Sequence, residues 1–70
     1  MTTLNIAIVE RRPSGHLVFN VRAQSDANSF EFPISVVDEG SQARNESAVL
    51  KSVIALAEAV AACARQRLPL

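Results

Sequence analysis

The first 37 residues alternate apolar and polar side chains with a period of two, the mark of strands that bury one face. Over residues 3–10, Leu4, Ile6 and Ile8 point one way, and Asn5, Ala7 and Val9 the other. Over 16–23, Leu17, Phe19, Val21 and Ala23 share a face opposite His16, Val18, Asn20 and Arg22. Over 29–37, Phe30, Phe32, Ile34 and Val36 share a face opposite Glu31, Pro33, Ser35 and Val37. Every phenylalanine falls in the inward set, which predicts a one-sided antiparallel sheet. Arg12-Pro13-Ser14-Gly15 suits a type I turn, with Pro second and Gly fourth. The polar stretch Gln24 to Ser29 suits a second hairpin. Pro33 has no N–H to give, so the third strand is expected at an edge, with Pro33 facing away from its neighbour. Short connections then make a meander with the second strand central.

Beyond Asp38-Glu39-Gly40 the period becomes helical. Ser41 and Asn45 both qualify as N-cap; Asn45 is preferred because it puts Glu46 in the first turn, against the helix dipole. Arg65 and Arg67 suit the C-terminal end and Pro69 stops propagation, giving a helix over about 45–67. The expected fold class is α+β: a three-stranded antiparallel meander followed by one long C-terminal helix packed on one sheet face. Residues 1–70 make a single small domain. Such a helix measures ~33 Å at ~1.5 Å per residue and an eight-residue strand ~26 Å, so the helix should overhang its sheet.

On a helical wheel of about 100° per residue, Val49, Val53, Leu56, Val60 and Cys63 form one row. Leu50, Ile54, Ala57, Ala61, Ala64 and Leu68 form the next, and together they are expected to lie on the sheet. A third row of mainly small residues runs along the other side: Ala48, Ser52, Ala55, Ala59, Ala62 and Gln66. It admits close approach of a second helix and is a candidate self-association seam. The competing reading is a solvent face rich in alanine, the best helix former. A domain this small buries proportionately little surface, which favours association, through this row or through the free edge of the first strand.

Composition narrows the function classes. Seven Lys+Arg balance seven Asp+Glu, for a formal net charge of zero, and 49% of residues are hydrophobic. This is a globular composition. The charge is segmented: residues 1–22 carry +2, 23–46 carry −4 and 47–70 carry +2. One Cys and one His, His16, supply neither a disulfide framework nor a zinc ligand set. The two glycines, Gly15 and Gly40, form no phosphate loop. No cofactor is expected. The longest apolar run, 53–64, is interrupted by Glu58 and falls short of the roughly 20 residues of a membrane span. The N-terminus lacks the basic and apolar regions of a signal peptide, so a cytoplasmic protein without membrane partners is expected.

Single residues offer little chemistry. His16 is expected exposed at a strand end. Cys63 is expected buried as a small apolar residue, far from the helix N-terminus that would activate a thiol. Arg11, Arg12, His16 and Arg22 form a candidate basic patch for nucleic acid, without aromatic residues for stacking. Arg11-Arg12-Pro13-Ser14 matches a basophilic kinase target too short to distinguish from chance.

Glu10, Asp38, Glu39 and Glu46 are acids that the first strand and the helix start could gather around a cation. Three antiparallel strands followed by a helix is an order similar to the opening half of ribonuclease H-like folds, whose acids on the first strand and first helix hold catalytic metal ions. Here the first strand has no acid within its body and the later parallel strands are absent. The order also resembles the truncated ribonuclease H-like antitoxins of bacterial toxin–antitoxin pairs, which implies a partner-binding protein. The expected function is a non-enzymatic protein-interaction module, binding itself as a homodimer or another protein, with nucleic-acid binding as the alternative.

Overall fold

The computed structural model describes residues 1–69. Three strands, β1 (Thr3–Arg11), β2 (His16–Gln24) and β3 (Ser29–Val37), precede one helix, α1 (Gln42–Arg67). They form an antiparallel sheet in the order β1-β2-β3, as the alternation predicts. The inward residues meet in cross-strand rows: Leu4–Ala23–Phe30, Ile6–Val21–Phe32 and Ile8–Phe19–Ile34. Val49 of α1 closes over this surface, making a core with Leu17, Phe19, Val21, Ile34 and Val36.

The turns follow their residues. Gly15 N–H donates to Arg12 O at 3.0 Å, closing the β1–β2 turn, and Gly15 takes a φ of +90°, open to glycine at little cost. Ser25 N–H donates to Asn28 O at one end of the β2–β3 ladder, and Asp38 N–H to Gly15 O at the other. Hydrogen-bonded and non-bonded pairs alternate between these ends. The Asn20–Pro33 pair therefore falls on a non-bonded position, and the missing N–H of Pro33 faces outward.

One irregularity has consequences. A bulge between Ile8 and Glu10 leaves Val9 unpaired, so Glu10 pairs with Val18 and Arg11 with Leu17. Strict alternation would put Glu10 on the apolar face and Arg11 outside. The extra residue reverses both, a re-aiming typical of bulges. Val18 points outward, yet it is only 8% exposed, sitting on the central strand between Glu10 of β1 and Ser35 of β3.

The helix start departs from the expected Asn45. Ser41 is the N-cap, with Oγ accepting from Arg44 N–H at 3.4 Å, and no acid occupies the first turn. Asn45, 8% exposed, instead fastens the connection: Oδ1 accepts from Glu39 N–H at 2.8 Å and Nδ2 donates to Asp38 Oδ1 at 3.0 Å. At the other end, Leu68 is extended, as the residue before Pro69 must tend to be. Its N–H still donates to Ala64 O and Arg65 O.

Candidate association site

The helix contacts its own sheet only with its first half. Asn45 and Val49 are its only buried residues among those described, and Ala48 and Val53 are partly buried against the core. Beyond Val53 the sheet falls away. Ile54 is 57% exposed and Val60 58%, and Leu56 and Leu68 are exposed too. Cys63, expected buried, is also exposed. Length accounts for part of this: 26 residues make ~39 Å of helix against ~30 Å for a nine-residue strand, which leaves about six residues overhanging. Burial ends sooner, at Val53, so the helix parts from the sheet before the strands run out.

The helix is also rotated from the expected orientation. Asn45, Val49, Ser52 and Val53 centre the face turned to the sheet. The row Leu50, Ile54, Ala57, Ala61, Ala64 and Leu68, expected on the sheet, turns sideways and away from it. The small-residue row is split. Ala48 and Ser52 are half-buried beside the core, while Ala55, Ala59, Ala62 and Gln66 are exposed on the overhang.

The uncovered helix has a counterpart on the sheet. The helix contacts lie mainly on β3, leaving the inward face of β1 open, with Leu4 and Ile8 about two-fifths exposed. Between β1 and the helix start lies a cleft of about 460 Å³, floored by Ile6, Ile8, Leu17 and Phe19. Arg11, turned inward by the bulge, and Asp38, Ser41 and Glu46 stand at its rim. Asp38 Oδ2 lies 3.9 Å from Arg11 Nη1. Hydrogen bonds from Asn45 and Gly40, with Arg11 adding a smaller attraction, hold the Asp38 carboxyl below its ordinary value.

The four residues of the basic patch are dispersed. Arg11 faces the cleft beside Asp38, Arg12 Nε lies 3.6 Å from Glu10, and Arg22 lies 3.5 Å from Glu31 on the outer face. His16 is half-buried, its Nδ1 3.0 Å from Ser14 Oγ. Each arginine is matched by a carboxylate, so they build no common positive surface. The acids are likewise apart, with Glu10 outward and Asp38, Glu39 and Glu46 around the helix start. Among the described residues, no group of three or more His, Cys, Asp or Glu is placed to hold a metal.

Helix α1 is long and apolar enough to cross a membrane by length and composition. Counting only the uninterrupted apolar run missed this, because a helix tolerates isolated charges such as Lys51 and Glu58. Comparison with protein-family models, with curated proteins and with solved structures found no match.

Proposed function

We propose that this chain is a non-enzymatic interaction module that acts as a homodimer, with the overhanging half of α1 as the docking element. Surface area carries the reading. A compact monomer of 7.5 kDa exposes about 4,200 Å². This chain exposes 5560 Å². The excess of about 1,300 Å² exceeds the ~800 Å² that each partner contributes to a standard interface. Shape agrees: the radius of gyration is 14.1 Å, against about 11 Å for a compact chain of this length. Ile54, Leu56, Val60 and Leu68 on the helix are among the exposed large apolar residues, as are Leu4, Ile8 and Phe30 on the sheet.

A second copy is the favoured occupant because the chain carries complementary surfaces of its own. It has an uncovered apolar helix and an uncovered apolar sheet face, as an isologous interface requires. The free edge of β1 is the weaker route, since the bulge at Val9 blunts one end of its ladder. Sedimentation at micromolar concentration tests the reading. The expected result is a dimer that Val60→Arg converts to a folded monomer. A wild-type monomer at high micromolar concentration would refute it, and a dimer that survives Val60→Arg would move the contact to the β1 edge.

A further inference from the structure

We infer that the second half of each helix lies in the other copy's cleft, over the inward face of β1 and antiparallel to the helix already there. This rests on the homodimer reading and specifies what the docking element meets. Three observations carry it.

The first is fit of length and face. Residues 54–67 measure ~21 Å as helix. The open strand from Leu4 to Arg11 measures ~26 Å. Leu56, Val60 and Cys63 continue the face that Val49 turns to its own sheet. A helix crossing from one sheet to a neighbouring one would present them to the second without twisting. Leu4, Ile6 and Ile8 are the apolar surface waiting there.

The second is charge. Among the described residues, Arg65 and Arg67 at the helix end make no ion pair, and neither does Glu46, which lines the cleft. With the helices antiparallel, the C-terminal arginines of one copy come to Glu46 of the other. The negative end of one helix dipole also meets the positive end of its neighbour.

The third is the flank of the resident helix. Glu46 lines the cleft. On the wheel, the side it marks continues through Leu50, Val53, Ala57 and Ala64. Apart from Val53, which is partly buried against its own core, the single chain leaves this row uncovered beside the cleft, and its alanines let two helices approach closely. The two-fold axis then falls near Leu56 and Ala57, and every large apolar residue in the row gains a neighbour.

The arrangement has a register that Cys63, the only cysteine, can report. Placing Arg67 against the partner's Glu46 puts Cys63 opposite the partner's Leu50 and above the partner's Ile8. The two Cys63 side chains then lie ~20 Å apart along the helices. Oxidation of wild type and of Ile8→Cys, with the linkage read by peptide mapping, is the test. Ile8 is 42% exposed, so the substitution disturbs little. The expected result is an 8–63 disulfide between copies in the variant and no Cys63–Cys63 link in wild type. A second arm uses charge: Glu46→Lys, which alters both symmetry-related contacts, should weaken the dimer about tenfold, most at low salt.

The outcomes separate the two claims. A dimer that links through Cys63 itself, or that forms no 8–63 bond, overturns this placement and leaves the homodimer reading intact. A monomer at high micromolar concentration overturns both. So does a wild-type chain that stays monomeric and binds phosphatidylcholine vesicles through α1, since the membrane is then the occupant.

Discussion

Val49 and Val60 are the same residue on the same helix, three turns apart, with 0% and 58% of their surface exposed. Val49 belongs to the core with Leu17, Phe19, Val21, Ile34 and Val36. Val60 has no sheet beneath it. The first half of α1 is held by tertiary contacts and by the Asn45 and Ser41 hydrogen bonds. The second half has only helix propensity, which its alanines supply. An apolar row records which side of a helix is meant to be covered, and the platform decides how much of it one chain can cover.

Substitution can break that contrast at either end. Val49→Asp should unfold the chain, because it buries an unpaired charge in the core; circular dichroism should show loss of both helix and sheet. Val60→Arg should leave that spectrum intact and abolish the concentration dependence of urea unfolding. Next in size is Asn45→Ala, which strands the Glu39 N–H and frees Asp38, at a cost of about 1–3 kcal/mol in urea unfolding. Ser41→Ala should cost about 0.5–1 kcal/mol, near the low end for caps because its bond is long at 3.4 Å.

The smallest expected effect is that of pH. Asp38 titrates in the folded chain below its unfolded value of about 3.9. Its contribution is complete above that value and is lost as pH falls through the lowered folded one. Unfolding midpoints measured from pH 5 to pH 2 should therefore fall less in Asp38→Asn than in wild type. An equal slope in both would remove Asp38 as the source.

Much of the fold is legible in the alternation. Three strands, the inward Phe19 and Phe32, the turn at Pro13–Gly15 and the helix end before Pro69 follow from local chemistry, whereas Phe30, expected on the buried face, is 66% exposed. What resists reading depends on long-range geometry. The bulge at Val9 left one clue, because strict alternation placed Glu10 in an otherwise apolar row. That conflict is resolved by an extra residue, which also sends Arg11 into the cleft and disperses the basic patch. Asn45 looked like a cap because asparagine bonds to nearby backbone; it does so here, to Glu39, but from inside the helix. Cys63 has the right spacing for burial, and spacing alone is silent about where the sheet ends. The cleft was illegible because β1 is apolar on its inward side whether or not a helix covers it.

Amide hydrogen exchange as a function of protein concentration distinguishes the two halves of α1 most directly. The account predicts that residues 45–53 are protected at every concentration, whereas residues 54–67 are protected when the chain is concentrated and exchange rapidly on dilution. Equal exchange of residues 54–67 from nanomolar to high micromolar concentration would contradict it.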